Sequence, residues 1–326
     1  MALSRDRLCE LLGIRHPIIL APMAGVAGGA LAAAVTEAGG FGLIGGGYGD
    51  VVFLTNQFRE AGNARVGVGF ITWSLAGLPA GAQAETPAAF DIALQHAPHA
   101  VLMSFGDAAP YAPAIKAAGA KMICQIQTVD QAVAARDAGA DVLVAQGQES
   151  GGHGMGGHGV MSLVPAVVDQ AGDIPVLAAG GIADGRGLAA AWMLGAAGVM
   201  MGTRFYAAQE ALGAEGAKLA LVGSTGADTM RTSVFDMIRG PEWPEPYNGR
   251  AIKNDLTKRW HGDEAALRAG LGAAKADYNK ADEALDFSRK VIWAGEGLDM
   301  IHDAPPAADI VDRIMAEATA ALGAAK

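Results

Sequence analysis

Four times along this chain an alanine-rich stretch ends in glycine just before a short apolar run: Glu37-Ala38-Gly39-Gly40, Ala117-Ala118-Gly119-Ala120, Asp137-Ala138-Gly139-Ala140 and Met193-Leu194-Gly195-Ala196. Glycine tolerates the left-handed backbone that follows a helix, so each site reads as a helix-to-strand joint. Apolar runs start near Ile18, Phe41, Val66, Ala100, Lys121, Asp141, Pro175 and Gly198, 20 to 34 residues apart. That interval holds a strand, a crossover helix and two loops. The first six runs read as strands over Ile18–Ala21, Phe41–Ile44, Val66–Phe70, Ala100–Met103, Met122–Gln125 and Val142–Ala145. Their near-continuous apolar character implies burial on both faces, as a parallel sheet requires. Eight such units predict an α/β fold, a closed (β/α)8 barrel occupying residues 1–204, with a doubly wound open sheet as the alternative.

After Thr203 the strand rhythm stops. Residues 205–297 read as an appended helical subdomain interrupted by the loop Arg239-Gly240-Pro241-Glu242-Trp243-Pro244-Glu245-Pro246-Tyr247-Asn248. Trp243 and Tyr247 suggest a lid or a subunit contact there, against ordinary packing. Within residues 298–326, Ile310, Val311, Ile314, Met315 and Ala318 form a helical stripe expected to dock on the barrel.

Composition narrows the function classes. With 24 Lys and Arg against 34 Asp and Glu, the net charge is −10, and nucleic acid is an unlikely match for such a surface. Two cysteines in no metal-type spacing, Cys9 and Cys124, predict a reducing, cytoplasmic setting without disulfides. The opening Met1–Gly13 reads as an amphipathic helix rather than a signal peptide. The uncharged runs Pro17–Thr36 and Gly187–Thr203 approach membrane-spanning length but are broken by Pro and Gly, so each reads as a buried strand joined to a helix. Glycine is abundant, 46 of 326 residues, roughly twice ordinary usage.

Those glycines gather where a barrel does its chemistry, in loops at the C-terminal ends of strands. The seventh strand ends in Ala179-Gly180-Gly181-Ile182 and the eighth in Met200-Met201-Gly202-Thr203-Arg204. Adjacent glycine turns with a Thr hydroxyl favour a phosphate site over plain tight turns. The sixth strand runs into Gln146-Gly147-Gln148-Glu149-Ser150-Gly151-Gly152-His153-Gly154-Met155-Gly156-Gly157-His158-Gly159, a costly loop that suggests function. His153 is the candidate base or hydrogen-bond donor, and His158 fits a solvated loop histidine better. Gly152-x-Gly154-x-x-Gly157 matches a dinucleotide fingerprint by letter only, since no helix is expected to open there. Glu149, His153 and His158 form a minority iron-site alternative, although a flexible glycine loop makes a poor cage. Cys124 reads as core.

Taken together, Ala21-Pro22-Met23-Ala24-Gly25, the Gln146–His153 loop, Ala178-Ala179-Gly180-Gly181-Ile182-Ala183-Asp184-Gly185-Arg186-Gly187 and the run from Gly195 to Arg204 resemble the nitronate monooxygenase family. The likeness runs in order over roughly residues 14–205 and more loosely onward. It implies a TIM barrel that binds FMN non-covalently and oxidises alkyl nitronates with O2 to a carbonyl compound and nitrite. A small-molecule substrate, a nitronate or nitroalkane, is the partner implied, with no nucleic acid or membrane; a homodimer is compatible. By motif, Met23 would lie beside the flavin ring, Gln146 and Gly151 would contact the flavin, and Gly181, Met200, Met201, Gly202 and Thr203 would hold its phosphate. Pro22, Ala24, Gln125 and Gly180 complete the expected cofactor shell, and His153 matches the active-site histidine; no metal is expected. The third strand departs from the family pattern. Many members carry an Asn at its end, whereas this chain reads Val68-Gly69-Phe70-Ile71-Thr72-Trp73, leaving Phe70 and Trp73 to wall a substrate pocket or simply to pack. Related barrels with a GGH loop include FMN-dependent enoyl-thioester and NAD(P)H:quinone reductases, which form the alternative reading.

Overall fold

The computed structural model describes residues 2–76, 86–240 and 243–324. Its strands are β1 (Ile18–Leu20), β2 (Leu43–Gly47), β3 (Gly67–Ile71), β4 (Ala100–Ser104), β5 (Lys121–Ile126), β6 (Val142–Gln146), β7 (Gly152–Gly154), β8 (Val176–Ala179), β9 (Gly198–Met201), β10 (Thr229–Thr232) and β11 (Asn248–Ile252). Eight of them form one parallel sheet in the order β1-β9-β8-β6-β5-β4-β3-β2. A parallel bridge between Ile19 and Phe41 joins its two ends, with the Leu20 N–H donating to the Phe41 carbonyl at 2.9 Å. The fold is therefore a (β/α)8 barrel, and its strands start within two residues of the positions expected from sequence.

Strand alternation separates two cores. Ile19, Phe41, Leu43, Leu102, Ile123, Val144 and Leu177 point inward and fill the barrel. Ile18, Leu20, Ile44, Val68, Val101, Leu143 and Val199 point outward against the surrounding helices. Helix Ala2–Leu12 adds Leu8 and Leu12 to the inner cluster, with its end bonded to His99 just before β4, and so plugs the face from which the strands start.

The helical ring has one detour. After β9 comes only the four-residue helix Thr203–Tyr206. The C-terminal helix Ala307–Ala324 fills the missing place, packing against both Gly185–Met193, which follows β8, and Gly29–Glu37, which follows β1. Its buried stripe is Ala307, Ile310, Val311, Ile314 and Ala318. Glu317 accepts from the Gly185 N–H at 2.8 Å, and Asp303 joins the buried Arg204 to Arg313 at 3.0 and 2.7 Å.

The intervening chain, residues 207–306, forms a cap with its own apolar cluster around Val234, Phe235, Ile238, Leu256, Leu267 and Tyr278. Its regular elements are chiefly short helices, but they also include β10 and β11. These pair antiparallel with each other and with β7, which the glycine-rich loop contributes. That loop was expected to be mobile. Instead, β7 is stitched into the cap sheet, and the guanidinium groups of Arg231 and Arg250 both donate to the Gln148 carbonyl, at 3.1 and 3.3 Å. Among the described residues no helix is long and apolar enough to cross a membrane.

Candidate active site

Chain direction in a parallel barrel brings every strand's C-terminal end to one face. A cavity opens there, and every candidate cofactor or catalytic residue read from the sequence lines it. Pro22, Met23 and Ala24 enter from the turn after β1, Gln125 from β5 and Gln146 from the end of β6. Gly151 and His153 come from the glycine loop, Gly180 and Gly181 follow β8, and Met200, Met201, Gly202 and Thr203 end β9.

Two turns leave no room for side chains. Gly181 has φ +68°, and a Cβ there would sit 3.2 Å from the Glu149 Cβ, so the backbone itself forms the cavity wall. A Cβ on Gly151 would lie 2.5 Å from the Gly295 nitrogen, so the loop and the 295–297 segment touch backbone to backbone. Thr203 accepts from the Gly295 N–H at 3.0 Å, which leaves its own hydroxyl proton available to a ligand. Ser150 also lines the cavity, and its buried hydroxyl has no partner among the described residues.

The floor is a glutamine network. Gln146 Oε1 accepts from Gln125 Nε2 at 2.9 Å and from Gln127 Nε2 at 2.6 Å, while Gln146 Nε2 donates to the His153 carbonyl at 3.0 Å. One side chain thus ties the barrel floor to the strand carrying the histidine. Arg231 reinforces the same strand by donating to the carbonyls of Gly154 and Asn248. Burial and the neighbouring Arg250 pull its pKa down to about 10, so it is still a cation at neutral pH.

His153 is held on three sides. Its Nε2 lies 2.8 Å from Asp236 Oδ1, with the two side chains 10% and 7% exposed. The ring stacks on Trp243 at 3.5 Å and 5°, and meets Trp293 at 4.8 Å. With Nε2–H committed to the carboxylate, Nδ1 is the ring nitrogen left to accept a proton. This is the arrangement by which a buried carboxylate fixes a tautomer and supports the imidazolium that forms on protonation.

Asp236 and Trp293 have no motif to announce them, and the His153–Asp236 pair spans 83 residues of chain; Trp243, singled out in the Pro- and Trp-bearing loop, lines the cavity. Phe70 lines the cavity, whereas Trp73 packs behind it against Trp243 and Tyr48 at 5.4 and 6.1 Å. Of the Arg239–Asn248 loop, Pro241 and Glu242 lie outside the described residues.

The iron-site alternative does not assemble. Glu149 turns away to accept from the Val160 N–H at 3.0 Å, His153 is taken by Asp236, and His158 is exposed. No group of three His, Cys, Asp or Glu residues that could hold a metal ion occurs among the described residues. Contrary to expectation, a helix does open beyond the glycines, at Val160–Ala171, but the Glu149 carboxylate occupies its N-terminus. Cys124 is buried in β5, and burial pushes its thiol up to about 12, as core packing predicts.

The glycine-walled cavity, the glutamine floor and the carboxylate-braced histidine lie together at the face where a (β/α)8 barrel keeps its active site. The nitronate monooxygenase family model matches residues 5–64 and 75–317, and the chain belongs to that family. It is 33% identical to a nitronate monooxygenase of Neurospora crassa, over 93% of this chain and 89% of that protein. Among solved structures it is similar to FabK from Thermotoga maritima, with TM-score 0.84 and 29% identity over 97% of each chain. It is also similar to nitroalkane oxidase from Streptomyces ansochromogenes, with TM-score 0.78 and 28% identity over 98% of this chain and all of that one.

Proposed function

We propose that this chain is an FMN-dependent nitronate monooxygenase that converts alkyl nitronates and O2 to carbonyl compounds and nitrite. The observation that carries the reading is the braced histidine facing the glycine-walled cavity, His153 on Asp236 at 2.8 Å. The cavity suits the cofactor: the wall at Gly181 admits only backbone, and the buried, unpartnered Ser150 hydroxyl awaits a ligand atom. Gly180, Gly181, Gly202 and Thr203 would hold the phosphate, and Met23, Gln125, Gln146 and Gly151 would flank the ring. A flavin held there would supply the redox chemistry, as electron acceptor from the substrate and donor to O2.

The protein's own residues do the rest. For a neutral nitroalkane, His153 takes the α-proton on Nδ1, and Asp236 offsets the charge that develops. A nitronate arrives without that proton, so no base is needed, and His153 can donate to it only as the imidazolium, from Nδ1–H. Trp243 and Trp293 cover the imidazole and keep water from its faces. The cysteine-poor, acidic composition supports a cytoplasmic setting.

Anaerobic addition of an alkyl nitronate, followed in the visible flavin band beside parallel additions of NADH and NADPH, tests the reading. Bleaching by nitronate alone is expected. Bleaching by a pyridine nucleotide but not by nitronate would overturn it in favour of a reductase on the same barrel.

A further inference from the structure

We infer that the cavity contains an oxyanion site built from Tyr48 and Arg239, across the Trp243 indole from His153, which takes the planar two-oxygen group of an anionic substrate. This deepens the function proposed above and rests on it only for the identity of the anion.

The charge census of the cavity comes first. Among the described residues that line it, the titratable ones are Tyr48, His153, Tyr206 and Arg239, and none is a carboxylate. Asp236, whose charge also reaches Tyr48, pairs with His153 at 2.8 Å, so that pair brings no net positive charge even when the imidazole is protonated. Arg239 is then the cation the cavity sees. It ends helix Val234–Arg239 with its side chain exposed and one hydrogen bond made to Tyr278, in a chain whose net charge is −10. A small cationic opening in an otherwise acidic protein attracts small anions and focuses them.

Tyr48 supplies the directional donor. It follows β2, lines the cavity, and its hydroxyl oxygen accepts from Trp243 Nε1 at 2.9 Å. With that lone pair used, the hydroxyl proton is left to be donated elsewhere. Burial pushes the phenol up to about 12, against the Trp243 hydrogen bond, so it stays a neutral donor at any working pH. The same Trp243 ring stacks on His153 at 3.5 Å, so one indole sets the spacing between the histidine and the phenol. Around them the walls are apolar and aromatic, including Phe70, Phe105 and Trp293, which strengthens any hydrogen bond made inside. A nitronate fits this arrangement, since its two oxygens carry the negative charge and lie in one plane with the carbon that His153 faces.

The test is calorimetry on the purified holoprotein with two non-oxidisable probes. Isobutyrate shares the heavy-atom skeleton, the planar two-oxygen group and the charge of propane-2-nitronate, with a tetrahedral carbon in place of the planar one, and isobutyramide is its neutral counterpart. The wild type is expected to prefer the carboxylate, and Tyr48→Phe and Arg239→Gln each to reduce that preference about tenfold, with flavin content unchanged. Absence of the preference in the wild type overturns the proposal. So does an equal loss of both probes in the variants, which would make Tyr48 a wall residue only. A protein that shows the preference but releases no nitrite from nitronate keeps the oxyanion site and loses the monooxygenase reading.

Discussion

Replacing Asp236 with Asn keeps the shape of the brace behind His153 and removes its charge. The two side chains are 10% and 7% exposed, so solvent screens their interaction little. A hydrogen bond to a charged group contributes roughly 1.5–3 kcal/mol and a neutral one roughly 0.5–1.5, so at the midpoints the substitution costs about 1.3 kcal/mol. At the barrier that is about tenfold in rate. The loss should fall where an imidazolium forms, in removing the α-proton of a neutral nitroalkane. A nitronate prepared beforehand skips that step. The assay is nitrite release from a nitroalkane and from its preformed nitronate, each at saturation, with flavin content measured alongside. The nitroalkane rate should fall about tenfold relative to the nitronate rate. An unchanged ratio with full flavin content would refute the assignment of His153 Nδ1 as base and Asp236 as its support.

Other changes give separate readouts. His153→Ala is expected to abolish most turnover on nitroalkanes while the protein stays yellow, and loss of the flavin itself would instead mark the residue as structural. Gly181→Val places a branched side chain where a Cβ already comes within 3.2 Å of Glu149, at φ +68°, and should yield colourless protein by absorbance. His99 bonds to Arg65 and lies edge-on to Phe41, and burial followed by the charges of Arg65 and Lys121 holds its pKa below 6.5. The unfolded chain therefore takes up a proton near pH 6.5 that the folded chain refuses until lower pH, so stability falls as pH drops below about 6.5. Thermal melts at pH 7.5 and 5.5 should show this, and the difference should shrink in His99→Gln.

The barrel was legible because its signal repeats. Each unit buries a strand on both faces and most end their helix at glycine, so chance agreement in one unit is corrected by the next. The glycine turns of the cavity were legible for a related reason, since Gly180-Gly181 and Gly202-Thr203 occur at strand ends, on the face where the cavity opens. The cap gave no such rhythm. Strands β10 and β11 are short, and their register depends on a partner, β7, from a loop that composition alone marks as flexible. Asp236 sits in Val234–Arg239 among apolar residues with nothing nearby in sequence to distinguish it, and only the packing of the cap onto that loop brings it to His153. The glycines at 151–159 signalled freedom of the chain, and Arg231 and Arg250 remove that freedom from a distance.

The position of the cap, spliced between β9 and the helix that completes the ring, bears on how such a protein assembles. Loop closure grows so slowly with length, about 0.6 kcal/mol for each doubling, that residues 207–306 could be inserted there with little thermodynamic penalty. The kinetic effect is larger, because helix Ala307–Ala324 must return past a folded cap to find Gly185–Met193 and Gly29–Glu37, and contacts so distant in sequence form slowly. Until that helix docks, the faces of Gly185–Met193 and Gly29–Glu37 that it packs against lack their cover, and refolding should pause at an open-sided barrel with exposed apolar surface. The same splice makes the cap an exchangeable module: one barrel with its glycine loops could carry different caps, each bringing its own partner for the histidine.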